Sequence, residues 1–228
     1  MVTKFRPHAL VALLVLVACD VPTNTDKSDD AIDETVEHED VSYNDDVEDD
    51  DTDEADTSSA TLEERLIFLR EEEKLARDVY LTLYDTWEMQ VFANIADSEE
   101  EHTAAVRSLL EQRDIADPVT DDTVGVFTDP VLADLYTELV GIGLQSRADA
   151  LWVGCTVEDL DILDLETFDV EDDAEVDDLL GNLLCGSENH MRAFHNKLGQ
   201  QGEEYEVQYI TEARLEELLA EGQQSCME

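Results

Sequence analysis

The apolar residues of this chain recur at helical spacing from Thr61 onward. Thr61-Leu62-Glu63-Glu64 has the composition of a helix capping box, and the apolar stripe after it predicts a first helix over about 62–86. A short connection through Trp87 leads to a second predicted helix over about 89–112. Because short connections join antiparallel neighbours in helical bundles, we expect these two helices to pack antiparallel.

A longer polar link, residues 114–128, precedes the third predicted helix. Asp129 and Pro130 are a favoured N-cap and a favoured first helical residue. This helix is expected to run to about residue 152 and, after a break near Gly154, on to residue 163, because glycine lowers helix propensity.

A fourth helix is predicted over about 174–198, after a loop at 164–173. Gly199 and Gly202 are expected to end it, because glycine favours the backbone conformation of a helix C-terminus. Four helices with one longer crossover, between the second and the third, predict an all-α four-helix bundle over residues 61–200.

The last residues, 201–228, are predicted to form an appendage to the bundle. Tyr205, Val207 and Tyr209 alternate with other residues, which is typical of an extended segment laid against a surface. A short helix is expected from Glu212 to Ala220.

Acidic residues dominate the composition. The 228 residues include 60 Asp and Glu against 13 Lys and Arg, for a formal net charge of −47. So strong a negative charge repels nucleic acid and anionic lipid headgroups, and we therefore expect no nucleic-acid partner. The chain also contains neither a Walker loop nor a glycine-rich dinucleotide fingerprint.

The N-terminal residues have the pattern of an export signal. A basic start with Lys4 and Arg6 leads into an apolar stretch, residues 9–17, that is too short to span a membrane as a helix. The stretch ends in Leu16-Val17-Ala18-Cys19, which resembles the lipobox of bacterial lipoproteins. The pattern predicts a signal peptide over residues 1–18 and a lipid on Cys19.

This pattern predicts an exported bacterial lipoprotein, anchored to the inner or outer membrane and facing the periplasm or the cell surface. Asp20 after the cysteine is typical of lipoproteins that some Gram-negative bacteria retain at the inner membrane. The lipid is expected to be the chain's only contact with the membrane. An ordinary secretory peptide with an incidental cysteine is the alternative.

Residues 19–60 are predicted to be a disordered acidic tether. They are rich in Asp and Glu, have Tyr43 as their only aromatic residue, and cannot bury enough apolar surface to offset the entropy of ordering. The acidic run 49–54 lacks the glycine that an EF-hand calcium loop needs at its turn, so it is interpreted as solvated spacer. Weak buffering of cations is left open as a function of this tether.

Three cysteines follow Cys19, and export would place them in an oxidising compartment. If Cys155 and Cys185 lie on neighbouring helices, they can form a disulfide; the alternative is two buried free thiols, and the sequence favours neither. One of the three, which include Cys226, is left over in either case. A zinc ribbon is not expected, because the chain has no Cys-x-x-Cys pair.

Two polar residues interrupt the apolar stripe of the second predicted helix. Glu99 and His102 lie between Ile95 and Val106 at a spacing that places both on the buried face. A carboxylate and an imidazole three residues apart on a helix can bind one metal ion. Because a buried, unpaired carboxylate is costly, acids on this face require a cation.

Glu73 occupies the same kind of position on the first predicted helix, with Glu72 as the fallback. The alternative is that Glu73 forms an i,i+4 ion pair with Arg77, which requires no burial. The pattern alone is compatible with both interpretations.

Several separated segments resemble a bacterial ferritin-like family that carries a domain of unknown function and is often secreted or anchored. The segments are EEEKLARDVY (71–80), FANIADSEEEH (92–102), VEDLDILDLE (157–166), SENHMRAF (187–194) and YEVQYIT (205–211). The resemblance covers about residues 62–211. It implies a ferritin-like four-helix bundle of the di-metal carboxylate superfamily and implies no demonstrated reaction.

Ferritin-like di-metal proteins place a Glu on each of two helices and a Glu-x-x-His on each of the other two. Laid on this chain, the resemblance implies the metal ligands Glu73, Glu99, His102, Glu158, Asp161 and His190. The chain departs from the pattern on the fourth helix, where Ser187 stands three residues before His190. Asp161 is expected to supply the missing oxygen ligand, unless the second metal position is weak or absent.

The ligand set favours iron, as two ions, with manganese or zinc as alternatives. With iron, the expected activity is oxidation of Fe(II) by oxygen or peroxide, or iron handling, and no catalytic residue is assigned. Tyr80 and Tyr84 lie a turn or two from Glu73 and can donate hydrogen bonds or electrons, although core packing is the commoner role. A non-catalytic helical binding module on an acidic stalk is the alternative function, and a homodimer is left open.

Overall fold

The computed structural model describes residues 60–168, 170 and 172–226. The predicted signal peptide, Cys19 and the tether up to residue 59 lie outside these residues. The described part contains no β-strand and six helices: α1 (Leu62–Trp87), α2 (Gln90–Gln112), α3 (Pro130–Gly143), α4 (Arg147–Thr167), α5 (Ala174–Gln200) and α6 (Glu212–Glu221). The predicted all-α fold class is therefore confirmed.

Helix α1 begins with the predicted capping box. The Thr61 hydroxyl oxygen accepts a hydrogen bond from the Glu64 N–H, and the Glu64 carboxylate accepts one from the Thr61 N–H. The helix ends at Trp87, after which Glu88 adopts a left-handed conformation with φ 50°. Only two residues separate it from α2, and the two helices pack against each other.

The prediction of one helix from residue 129 to about 152 is wrong, because two helices cover this segment. α3 ends at Gly143 and α4 begins at Arg147. Between them Ser146 is an extended N-cap, and its hydroxyl oxygen accepts a hydrogen bond from the Asp149 N–H. This cap stabilises a new helix start and therefore sets the break earlier than expected.

Gly154, where the break was predicted, lies inside α4. A Cβ at this position would come within 2.6 Å of the Phe194 ring of α5. Glycine at position 154 therefore allows α4 and α5 to approach closely, and it does not end the helix. The predicted loop at 164–173 is also too long, since α4 continues through Thr167.

Helix α5 extends to Gln200, so Gly199 lies inside it and does not end it as predicted. Gly202, with φ 78°, adopts the left-handed conformation just beyond the helix. Glycine is favoured there because this conformation strains residues that carry a Cβ.

The four long helices, α1, α2, α4 and α5, pack around a shared core. α1 contacts α2 and α4, and α5 contacts the same two helices. α3 packs on α1 and α4, and α6 packs on α5. The core is thus enclosed by α1 and α2 from the N-terminal part of the described chain and by α4 and α5 from its C-terminal part.

Two apolar clusters make up this core, and a polar layer separates them. One cluster includes Leu69, Val106 and Leu183, and the other includes Leu75, Ile95 and Met191. On each of the three helices that carry these residues, buried acids or histidines lie between the two clusters. The buried acids and histidines of these helices therefore lie in one layer, between the two apolar clusters.

Charged residues on α1 hold the long crossover between α2 and α3. The Glu71 carboxylate accepts hydrogen bonds from the N–H groups of Thr128 and Asp129. Lys74 and Asp78 form a fully buried ion pair, and Lys74 also donates to a carbonyl oxygen of the crossover. These contacts satisfy buried charges with neighbouring donors and acceptors, which makes their burial tolerable.

The C-terminal segment is held by a buried carboxylate of α4. Asp159 accepts hydrogen bonds from the Tyr205 hydroxyl and from the N–H groups of Gln208, Tyr209 and Ile210. Asp159 is fully buried, so these donors balance a charge that would otherwise be costly.

The predicted pairing of Cys155 with Cys185 is wrong. Cys185 forms a disulfide with Cys226, and Cys155 is a buried thiol with no disulfide partner among the described cysteines. The reason is the placement of the side chains. Cys155 lies inside the apolar core, whereas Cys185 is on the partly exposed face of α5, next to Asn189, which binds the C-terminal segment.

Candidate metal centre

The structure brings the predicted carboxylates and imidazoles into two overlapping groups. The first group is Glu73, Glu99 and His102, and the second is Glu99, Glu158 and His190. Within each group the potential ligand atoms lie within 4.8 Å of one another. Four helices contribute, and each group could hold a metal ion.

The first group joins α1 to α2. His102 Nδ1 lies 2.8 Å from Glu99 Oε2, in hydrogen-bonding geometry, and 3.3 Å from Glu73 Oε2. Glu99 and His102 are three residues apart, so the helix itself presents both to the same point. The predicted alternative for Glu73 is not formed, because Arg77 pairs with Asp78, Glu100 and Asp122.

The second group joins α2 to α4 and α5. His190 Nδ1 lies 2.8 Å from Glu99 Oε1 and 3.5 Å from Glu158 Oε2. The contact with Glu99 is short, but it lacks the alignment that a hydrogen bond requires. The other ring nitrogen, Nε2, lies 3.1 Å from the Ser98 hydroxyl, which fixes the orientation of the imidazole.

Glu99 belongs to both groups, with one oxygen for each. Its Oε2 faces His102 and its Oε1 faces His190, and the two imidazole rings lie 5.5 Å apart between centroids. Glu99 itself is almost fully buried. A carboxylate in this position can bridge two ions.

Asp161 lies beside the two groups without belonging to either. The Ser187 hydroxyl donates to Asp161 Oδ2, and the Leu183 carbonyl oxygen is a second acceptor within reach of the same proton. Asp161 Oδ1 has no hydrogen-bond partner among the described residues. Ser187, at the position of the expected α5 carboxylate, thus holds a carboxylate from α4.

Tyr80 is in contact with the centre, and Tyr84 is not. The Tyr80 hydroxyl donates a hydrogen bond to Glu158 Oε1, and its ring packs on Phe92 and Phe194. Tyr84 is a partly buried residue that packs against the apolar core. Tyr80 therefore both positions a carboxylate and fills the core.

The two histidines favour the protonated form. Burial lowers the pKa of His190, but the charges of Glu99 and Glu158 outweigh it and raise the pKa to about 10. Burial likewise lowers the pKa of His102, and Glu99 and Glu73 raise it well above its usual range. Without a metal ion, the imidazoles thus act as the counter-charges of the acids.

The acids respond unequally to this environment. Burial raises the pKa of Glu73 to about 7, although His102 acts in the opposite direction. Burial and the charges of Glu73 and Glu158 raise the pKa of Asp161 well above its usual value. Burial raises the pKa of Glu99, too, but both imidazoles outweigh it and hold this pKa below its ordinary value.

Acids outnumber bases at the centre. Four carboxyl groups, of Glu73, Glu99, Glu158 and Asp161, face two imidazoles. Neither carboxylate oxygen of Glu73 has a hydrogen-bond partner among the described residues. Buried oxygens without donors are costly, and a cation would compensate them. The donor set, oxygen-rich with two imidazole nitrogens, therefore fits a divalent metal.

The sequence interpretation missed two residues that shape the centre. A Cβ at Gly186 would overlap the His102 ring, so position 186 must lack a side chain. Ser98 holds the second ring nitrogen of His190. Gly186 lies on α5 beside Ser187. The spacing of residues within α5 does not predict that the backbone of Gly186 contacts the His102 ring of α2. Only the packing of these helices reveals both contacts.

Comparisons with known proteins identify relatives of the whole helical domain. The family described as "Uncharacterized protein domain (DUF2202)" matches residues 62–221. The chain is 50% identical over 159 residues to "Uncharacterized protein MJ0754" of Methanocaldococcus jannaschii, across 69% of this chain and 86% of that protein. It is also similar to the crystal structure of hypothetical protein MJ0754 from Methanococcus jannaschii DSM 2661, with 48% identity and a TM-score of 0.70, over 73% of this chain and 97% of that chain.

These relatives confirm a domain of unknown function, while the ferritin-like assignment stays a prediction. They contradict the predicted localisation as an exported bacterial lipoprotein. That prediction applied the processing rules of bacterial lipoproteins to residues 1–19. The relative MJ0754, which is 50% identical to this chain, is an archaeal protein. Among the described residues, no helix is both long and apolar enough to cross a membrane.

Proposed function

We propose that this chain, which belongs to the DUF2202 family, binds two divalent metal ions between α1, α2, α4 and α5. One ion would lie among Glu73, Glu99 and His102, and the other among Glu99, Glu158 and His190. Glu99 would bridge them, and Asp161 would add an oxygen ligand.

The observation that carries this proposal is the double use of Glu99. Its two oxygens each lie 2.8 Å from the Nδ1 atom of a different histidine. One histidine would be enough to pair with the charge of Glu99. Two imidazole nitrogens, one beside each oxygen of the carboxylate, suit two metal ions that share Glu99 as a ligand. The donor-free oxygens of Glu73 are further support for a missing positive charge.

Iron is the proposed metal, and manganese and zinc are the alternatives. Carboxylate oxygens with a minority of imidazoles suit Fe and Mn better than softer metals. The chemistry that two iron ions supply when bound is transfer of electrons to oxygen or peroxide as Fe(II) is oxidised, so we propose an Fe(II) oxidase or iron-handling protein.

The residues around the ions have roles of their own. The Tyr80 hydroxyl holds Glu158, Ser98 holds His190, and Ser187 holds Asp161. Fixed partners of this kind orient metal-binding side chains and determine which imidazole nitrogen is available. Both apolar clusters border the centre, so water has limited access to it.

Metal content of the full-length protein tests the proposal. The protein is loaded anaerobically with Fe(II), dialysed against a mild chelator and measured by elemental mass spectrometry. We expect about two ions per chain in the wild type, about one in Glu73→Gln or Glu158→Gln, and almost none in Glu99→Gln. Glu101→Gln, an exposed neighbour on α2, is the matched control and should keep both ions.

Activity is tested separately from binding. If the loaded wild type consumes oxygen or peroxide with added Fe(II) and Glu99→Gln does not, the oxidase proposal is supported. A folded, helical wild type that retains no Fe(II), Mn(II) or Zn(II) would rule out the metal centre altogether.

A metal-free binding module is the second candidate, and one observation favours it. The protonated histidines already pair with Glu99, Glu73 and Glu158, so the centre can exist as a buried ion-pair network. This candidate predicts that added metal leaves the thermal unfolding midpoint unchanged. A metal centre predicts a higher midpoint, because an ion that binds only the folded state stabilises it.

A further inference from the structure

Two further acids face each other beside the centre, and neither belongs to the two ligand groups. Glu72 of α1 and Asp164 of α4 lie close together where these two helices pack, and burial, followed by the charge of Asp164, raises the pKa of Glu72. Even so, Glu72 Oε1 and Asp164 Oδ2 are buried atoms without a hydrogen-bond donor among the described residues. Neighbouring buried carboxylates without a donor require a proton or a cation.

Asp161 connects this pair to the centre. Glu158, Asp161 and Asp164 follow one another at three-residue spacing on α4, so they lie along one side of the helix. The Asp161 carboxyl group is near enough to repel both Glu72 and Glu73. Its Oδ1 atom is also without a donor.

The line of carboxylates leads outward. Glu72 and Asp161 are buried, whereas Asp164 is half-buried and lies one turn before the end of α4. Arg65 is near enough to Asp164 to favour its ionised form, and its guanidinium also donates to the Thr167 carbonyl oxygen. A basic group therefore stands at the outer end. The inner carboxylates of Glu72 and Asp161 form no ion pair among the described residues, although Asp161 accepts a hydrogen bond from the Ser187 hydroxyl.

Charge balance shows that the proposed ions do not satisfy this pair. Two divalent ions would balance the four carboxylates Glu73, Glu99, Glu158 and Asp161. Glu72 and Asp164 then remain outside this balance, with Arg65 near Asp164 as a partial counter-charge. Ligands that are all carboxylate, with no imidazole to fix them, suit a hard divalent cation that binds and leaves.

We propose that Asp164, Glu72 and Asp161 form an access path for divalent cations, from the surface between α1 and α4 to the metal centre. The inference rests on the proposed function, because a path needs a destination. Each carboxylate passes the cation to the next, from half-buried Asp164 to buried Glu72 and Asp161, and then to Glu73.

The rate of metal loading tests the path. Apo full-length protein is mixed with Co(II) in a stopped-flow instrument, and the visible absorption of bound Co(II) reports uptake. The Glu72→Gln/Asp164→Asn double variant should load at least about tenfold more slowly, because a focused negative field raises cation on-rates by 10-fold to 1,000-fold. The final number of ions per chain should equal that of the wild type.

The matched control removes the same two charges elsewhere. Glu111→Gln/Asp178→Asn changes exposed acids of α2 and α5, and it should load within about twofold of the wild type. Circular dichroism verifies folding; since the path substitutions remove repulsion between buried acids, the apo variant should be at least as stable as the wild type. If the double variant fails to fold, half-buried Asp164→Asn alone serves for the same comparison.

Three results would overturn the path. Equal loading rates in wild type and path variant would mean that ions arrive elsewhere, for example past His102, whose side chain is 13% exposed. A path variant that loads at the normal rate but ends with one ion fewer would mean that the acids hold a resident ion. No uptake of Co(II) by the wild type would overturn the proposed function and the path with it.

Discussion

Gly186 of α5 lies against the imidazole of His102 on α2. A Cβ at position 186 would be 2.5 Å from both Cε1 and Nε2 of the ring. The ring can therefore stay beside Glu99 only because residue 186 has no side chain. This contact connects the backbone of α5 to an imidazole of the proposed metal centre on α2.

We predict that Gly186→Ala displaces the His102 ring and removes the ion proposed among Glu73, Glu99 and His102. Elemental mass spectrometry should show about one ion per chain in place of two. Gly181→Ala, on the same helix with no atom within 4 Å of its Cβ, is the control. It should keep both ions and increase stability by up to about 1 kcal/mol, since alanine favours helices. Two tightly bound ions in Gly186→Ala would contradict His102 as a ligand.

Metal binding should strengthen as the pH rises. A metal-bound imidazole cannot hold a proton on the same nitrogen, and the pKa of His190 is raised to about 10 by Glu99 and Glu158 despite its burial. At pH 7 each histidine must therefore lose a proton on binding. Isothermal titration calorimetry in buffers of different ionisation enthalpy should show at least two protons released per chain. The carboxyl groups of Glu73, whose pKa burial raises to about 7, and of Asp161 add to the protons that the histidines release. Binding heats that do not depend on the buffer would contradict this prediction.

The apo protein should show the opposite trend in stability. A histidine whose pKa is higher in the folded state than in the unfolded state stabilises the fold. The stabilisation is complete at pH values below the unfolded-state pKa and is lost at pH values above the folded-state pKa. For His190 the stabilisation should thus decline from about pH 6.5 to about pH 10. Urea unfolding of chelator-treated protein across this range measures the trend. Apo stability that rises toward pH 10 would show that His190 is not paired as described.

Asp159→Ala should release the C-terminal segment from α4. The substitution leaves a buried hydroxyl and three backbone N–H groups without their charged acceptor, so we expect a loss of about 3–5 kcal/mol. Urea unfolding gives the energy, and faster hydrogen exchange at Gln208 and Ile210 locates the change. Exposed Glu206→Gln should change stability by less than about 0.5 kcal/mol. Unchanged exchange in Asp159→Ala would mean that other contacts hold the segment.

Cys226→Ser should destabilise the protein by up to roughly 4 kcal/mol, the chain-entropy value for a disulfide between residues 41 positions apart. A reductant should lower the thermal midpoint of the wild type to that of the variant. The variant itself should not respond to reductant. Cys155→Ser should keep the sensitivity to reductant, because Cys155 is not in the bond. A wild type that is insensitive to reductant would contradict the disulfide.

The sequence by itself determined the features that depend on neighbouring residues. The capping box at 61–64 marked the start of α1, and Asp129 marked the start of α3, because caps are formed within one turn. The 4-3-4 spacing placed Glu99 and His102 on one buried face, since a helix fixes the relation of residues three and four apart. Helical spacing also favoured Glu73 over Glu72 as the ligand of α1. Glu73 lies 3.3 Å from His102, whereas Glu72 lies near Asp164.

Only the tertiary structure decided the features that depend on residues far apart in the chain. The low helix propensity of glycine predicts a break in the helix at Gly154. In the structure Gly154 lies inside α4, because the Phe194 ring leaves no room for a Cβ at this position. Cys185 bonds to Cys226 and not to Cys155 because of the face of α5 on which it lies. Local pattern encodes how a helix begins and which side is apolar. Which helices meet, and at what distance, depends on how all their side chains pack together.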